Sequence, residues 1–172
     1  ELGMDAIALT DHGNLYGTVE FYKEAVKKGV KPILGVEIYV APKSRFDRDG
    51  KKDDDRYFHL TLLAENETGW KNLIQLVTKA NLEGFYYKPR VDKELLKEFH
   101  EGIIALSGCP GGEIPQAILN DDFEKAVILS EEYQEIFGKD NFFLEIGHHP
   151  NIPEIVKATE GIKKLYEKTK IP

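Results

Sequence analysis

The chain has 172 residues, a formal net charge of −7 and a single cysteine, Cys109. The acidic balance excludes a domain-wide basic footprint for nucleic acid, so any contact with DNA is local or carried by a metal ion. One cysteine excludes an internal disulfide and fits a reducing cytoplasm, while 41% hydrophobic and 31% charged residues, with no apolar run near the ~20 needed for a membrane span, fit a globular chain that does not enter the bilayer.

The length fits one domain, residues 1–172. Glu1-Leu2-Gly3 reads as the last turn of a helix with its C′ glycine, and the stretch through Met4-Asp5 has neither the basic region nor the apolar run of a secretory signal. Ala6–Thr10 is a short β-rich run, followed by a helix over Gly17–Lys28 with Val19, Tyr22, Ala25 and Val26 on one face and Gly29 as its stop. Ile33–Val40 and His59–Ala64 are strands. The segment Arg45–Arg56 between them is a charge-balanced polar loop that includes Asp53-Asp54-Asp55. Thr68 is placed to cap a helix carrying Trp70, Leu73, Ile74 and Val77.

Ile103–Ser107 is the next strand, and Asp121 is placed to cap a helix ending at Gly138. Phe142–Ile146 is a strand, and Asn151 and Pro153 open a helix with Ile155, Thr159, Ile162 and Tyr166 on one side. Lys170-Ile171-Pro172 stops where a further strand is expected, so both ends read as cut. Strand-then-helix alternation predicts an α/β fold with a parallel sheet.

In such folds chemistry gathers at the strand ends. Asp11 and His12 follow the first strand, Ser107-Gly108-Cys109 the fourth, and Gly147-His148-His149 the fifth. Glu37 interrupts an apolar strand, where a carboxylate needs a partner or a metal, and His59 opens the strand after the charged loop. His12, Glu37, His59 and Cys109 have the composition of a transition-metal site. Bland readings stay open: a hydrogen-bonded turn for Asp11-His12, a small buried apolar residue for Cys109, a solvated helix end for His100. A nucleophilic Cys109, with Pro110-Gly111-Gly112 opening a helix behind it, is a further reading. His148 and His149 are adjacent, so at most one faces a site. Tyr86, Tyr87, Lys88 and Arg90, in Glu83–Arg90, mix aromatics with cations and suit either base stacking and phosphate contact or core packing.

Thr10-Asp11-His12-Gly13-Asn14-Leu15-Tyr16-Gly17 resembles a signature motif of the PHP (polymerase and histidinol phosphatase) domain of bacterial replicative polymerase alpha subunits. The likeness continues through Gly29–Val40, His59–Asn66, Glu83–Arg90, Glu101–Cys109 and Phe143–Ile146. The EGFYYKPR and SGC elements are the part specific to the polymerase branch. Pro110 and His148 depart from the family pattern, whereas His149 matches a recurring histidine.

The resemblance implies a distorted (β/α)7 barrel, truncated here at both ends, with up to three divalent metals, zinc or manganese. It puts His12, Glu37, His59 and Cys109 on metal-ligand positions, with Asp11 and His149 as additional site candidates. Further ligands, a His-x-His pair with an Asp and an Asp-x-His pair, are implied before Glu1 and after Pro172. It also implies phosphoester hydrolysis, a 3′–5′ exonuclease in some members and a structural module in others. A stand-alone phosphatase is the remaining alternative. The implied partners are DNA, a polymerase module in cis, and a proofreading or clamp subunit.

Overall fold

The computed structural model describes residues 3–48 and 57–172. The expected helix turn at Glu1-Leu2 and residues 49–56 of the charged loop lie outside them. The described elements are, in chain order, β1 (Ala6–His12), α1 (Thr18–Lys27), β2 (Lys31–Val40), β3 (Phe58–Ala64), α2 (Glu67–Leu82), β4 (Arg90–Val91), α3 (Lys93–Glu98), β5 (Ile103–Leu106), α4 (Glu113–Leu119), α5 (Phe123–Phe137), β6 (Phe142–Phe143) and α6 (Pro153–Thr169).

The strands form one mixed sheet in the order β1-β2-β3-β5-β6. β1 runs parallel to β2, and β6 parallel to β5, but β3 is antiparallel to both of its neighbours. This corrects the expectation of a parallel sheet. Among the described residues no helix lies between β2 and β3, and an antiparallel pair does not need the crossover that a parallel pair requires. β3 occupies one edge of β2, so β1 and then β4, at Tyr39 and Val40, share the other.

The two faces of the sheet differ because side chains alternate along each strand. Val36, Ile38 and Val40 of β2 and Leu60 and Leu62 of β3 point to one face and are buried against Leu73 and Leu76 of α2, Leu95 and Leu96 of α3 and Ile114 of α4. Ile103 and Ala105 of β5, Tyr133 of α5, Phe142, and Ile162 and Leu165 of α6 complete this core. Glu37, Tyr39, His59 and Thr61 point to the opposite face, with Glu37 opposite Thr61 and Tyr39 opposite His59.

Caps and helix faces depart from expectation in detail. Asn66, not Thr68, caps α2 by accepting from the Gly69 amide, and Asp122, not Asp121, caps α5 by accepting from the Lys125 amide. Asp121 takes a left-handed φ of 60° instead, in the turn between α4 and α5. Of the apolar face expected on α1 only Ala25 is buried; Val19, Tyr22 and Val26 stay exposed, because β1 beneath the helix is the edge of the sheet. α6 begins with Pro153 at its first turn as expected, and buries Ala158, Ile162 and Leu165. Among the described residues no helix is long and apolar enough to cross a membrane.

Candidate metal centre

Glu37 stands at the middle of the group. His12 ends β1 in register with it, and Nδ1 of His12 lies 2.7 Å from Glu37 Oε1. His59 lies diagonally across the antiparallel pair, and its Nδ1 is 3.1 Å from the same oxygen. Because β3 runs backwards, its beginning meets the carboxyl end of β1. That is why a residue opening a strand joins residues that close one.

Cys109 arrives from the turn after β5. Its Sγ is 3.4 Å from His59 Nδ1. The turn is clamped onto His59: the His59 amide donates to the Gly111 carbonyl at 2.9 Å, and a Cβ at Gly111 would come within 3.1 Å of His59 Nδ1. Gly108 has φ of +84°, a left-handed value that favours glycine, and any Cβ there would press on the His59 carbonyl. The small residues of Gly108-Cys109-Pro110-Gly111-Gly112 thus bring the thiol and imidazole together. Gly112 does open a helix, α4, as expected.

Electrostatics follow the geometry. Hydrogen bonds to Cys109 and then Glu37, opposed by burial, push His59 up to about 9. Burial pushes Glu37 upward, but hydrogen bonds and charge from His59 and then His12 outweigh it and hold the carboxyl below its ordinary range. Aromatic rings wall one side. Tyr39 stands edge-on to His59 with centroids 5.4 Å apart, and Tyr57 stacks on it at 6.0 Å. Lys88 reaches this wall, its Nζ 5.5 Å from the Tyr39 ring centroid.

The remaining candidates separate. Asp11 pairs in register with Val36, on the helix-covered face, and its Oδ2 lies toward Gly17. It is therefore corrected out of the cluster, because neighbours in a strand point to opposite sides. His149 is exposed and lines a cavity of about 170 Å³ together with Cys109 and Glu145. His100 is exposed, its ring bonded to the Lys97 carbonyl at 2.8 Å.

Tyr87 and Lys88 are exposed and Tyr86 half-buried, whereas Arg90 is 2% exposed and donates to the carbonyls of Gly84, Arg45 and Asp47. Arg90 is thus corrected from a surface DNA contact to an internal brace; its position in β4 between α2 and the Arg45 turn leaves it no path to solvent. Arg45, read as part of a solvated loop, is likewise buried, paired with Asp92 at 2.9 Å and with Glu83 at 2.8 Å. Glu145 was not singled out by its sequence context, although two-residue alternation from Phe143 carries it toward the face of Glu37.

Glu37, His59 and Cys109 offer a carboxylate oxygen, an imidazole nitrogen and a thiol sulfur, all within 4.8 Å of one another. Oxygen, nitrogen and sulfur donors so converged suit a divalent transition metal. His12 extends the group through the shared Glu37 oxygen.

Known proteins are similar to this chain. The PHP domain family profile matches residues 1–149. The chain is 55% identical over 164 residues to DNA polymerase III subunit alpha of Thermus aquaticus, covering 95% of this chain and 13% of that protein. It is 49% identical over 148 residues to the subunit of the same name from Treponema pallidum, covering 86% of this chain and 13% of the relative. The Chlamydia pneumoniae subunit is 48% identical over 168 residues, again with 13% of its length covered. The chain therefore spans only a small part of these relatives. With the profile extending over most of its length and the histidine, glutamate and cysteine donors gathered on one face, the chain belongs to the PHP domain family.

Proposed function

We propose that the chain is the metal-binding PHP module of a replicative DNA polymerase alpha subunit, a DNA-directed nucleotidyltransferase, and that the module hydrolyses phosphodiesters as a 3′–5′ exonuclease. The observation that carries this reading is the convergence of His12, Glu37, His59 and Cys109 on one face of the sheet. The likeness to DNA polymerase III alpha subunits supports the polymerase context. We read the sheet as part of a distorted (β/α)7 barrel. In support, the Leu144 amide donates to the Pro172 carbonyl, which carries hydrogen bonding past β6.

Zinc or manganese fits the donors, with up to three ions in a complete site. A bound divalent ion supplies a water of lowered pKa and charge to hold phosphoryl oxygens. In this reading His12, Glu37, His59 and Cys109 hold metal, and His149 borders the site. Tyr86, Tyr87 and Lys88 meet the DNA strand, with Lys88 beside the Tyr39 wall as the phosphate contact. The setting is cytoplasmic, with the polymerase module in cis and a proofreading or clamp subunit as partner.

The test is made on the full-length gene product. Metal content is measured by plasma emission spectrometry, and digestion of a single-stranded oligonucleotide labelled at its 5′ end is followed by gel. Bound transition metal with stepwise shortening from the 3′ end, both lost in His59→Ala, is the expected result. Metal without digestion leaves a structural metal centre in a docking module. Absence of both overturns the metal-centre reading. Hydrolysis of a small phosphate ester with DNA untouched identifies a phosphatase instead.

A further inference from the structure

Glu145 lies beside the centre and has no role in the reading above. Its backbone amide donates to Ser107 Oγ at 2.8 Å, and the Gly108 amide faces its carboxylate. Ser107 and Gly108 are the two residues before Cys109, so Glu145 ties the thiol-bearing turn to the end of β6. The carboxylate also lines the small cavity that Cys109 and His149 share. Its Oε2 is buried and has no hydrogen-bond partner among the described residues.

A buried carboxylate oxygen without a donor is costly, and such an atom beside a ligand cluster marks where a donor belongs. Among the described residues no neighbouring side chain fills that place. Glu145 is not among the donors that lie within 4.8 Å of one another, Glu37, His59 and Cys109. It is therefore placed to act on a coordinated water rather than as a fourth direct ligand. Groups of this kind commonly set metal affinity by about 10–100-fold.

We propose that Glu145 is a positioning residue of the metal centre: it anchors the Cys109 turn through Ser107 and Gly108, and its free oxygen accepts a hydrogen bond from water on the bound metal. The proposal rests on the metal-centre reading.

Two variants of the full-length gene product separate its parts. Glu145→Gln is isosteric, keeps an oxygen for the Gly108 amide and replaces the second acceptor by a donor. Glu145→Ala removes both. Cobalt titration is followed by the thiolate-to-cobalt charge-transfer band, with Cys109→Ser identifying the part due to this thiol, and the metal-free proteins are melted in parallel. For Glu145→Gln we expect an unchanged band at saturation, an unchanged metal-free melting temperature and a cobalt Kd raised about tenfold. For Glu145→Ala we expect at least the same rise and a lower melting temperature. Wild-type cobalt affinity in Glu145→Gln overturns the water-acceptor role even if Glu145→Ala is impaired. A wild-type protein with no Cys109-dependent band overturns the metal centre itself, and the two failures are thereby distinguished.

Discussion

Fifty residues of chain separate His59 from Cys109, yet His59 Nδ1 and Cys109 Sγ are 3.4 Å apart. Sulfur and nitrogen donors at this distance suit one divalent ion. Cys109→Ser and His59→Ala are therefore expected to weaken zinc binding by more than the ~10–100-fold typical of an outer-shell partner. Competition titration against a chromophoric chelator measures it. Wild-type affinity in either variant would remove that residue from the centre.

The raised His59 sets a pH dependence. Near pH 7.5 a group pushed up to about 9 is mostly protonated, and ligation requires the neutral ring. Zinc added to the metal-free protein in weak buffer should release a proton from His59, and a pH indicator should record a smaller release from His59→Ala. Stability without metal has the opposite trend. A folded-state pKa above the ordinary ~6.5 gives a contribution complete below that value and lost as pH rises through about 9. Glu37, held low, contributes above its ordinary ~4.5 and loses that contribution as pH falls through its folded value. Metal-free melting curves from pH 4 to 10 test both signs.

Gly111 lies against the face of His59, where a Cβ would stand 3.1–3.3 Å from three ring atoms. Gly111→Ala should displace the imidazole and cost about 1–3 kcal/mol of stability by overpacking, together with weaker metal binding. Denaturant titration and cobalt spectra read the two effects. A variant unchanged in both would show that the turn yields without moving the ring.

Asp92 receives the Arg45 guanidinium at 2.9 and 3.1 Å, the Arg45 amide at 2.9 Å and the Leu95 amide at 3.0 Å as the cap of α3. Asp92→Ala strips the buried Arg45 of its bidentate partner, leaving Glu83 at 2.8 Å and the exposed Glu94 at 4.0 Å, and uncaps the helix. We expect a loss of about 3–5 kcal/mol, measured by urea unfolding. Less than 1 kcal/mol would mean that the Arg45 turn swings out to solvent.

Lys88 and Arg90 are two residues apart and should behave differently. Lys88 is exposed beside the site wall, so Lys88→Ala should weaken single-stranded DNA binding and lower its salt slope by somewhat under one unit, about 0.7, without changing stability. Arg90 is internal, so Arg90→Ala should destabilise the fold with no specific effect on the salt slope. Fluorescence anisotropy across a salt series, paired with melting curves, tells them apart.

Much of the architecture is legible in local pattern. Periodicity of two and of 3.6 marks the strands and the long helices because those elements bury one side of themselves. Glu37 stands out because a carboxylate in an apolar strand needs a partner. The short elements α3, α4 and β4 carry too few residues for a period to declare itself. The caps at Asn66 and Asp122 lie a residue or two from Thr68 and Asp121, since several neighbouring polar side chains could serve.

The sequence by itself determined the candidates His12, Glu37, His59 and Cys109, and the family to which the chain belongs. Only the tertiary structure decided which donors meet. The antiparallel course of β3 brings His59 to the end of β1, and alternation along β1 turns Asp11 away from His12. Burial made Arg45 and Arg90 structural and left Glu145 with an unpartnered oxygen beside Cys109. Strand direction, facing and burial arise from contacts between residues far apart in the chain, which local spacing does not encode.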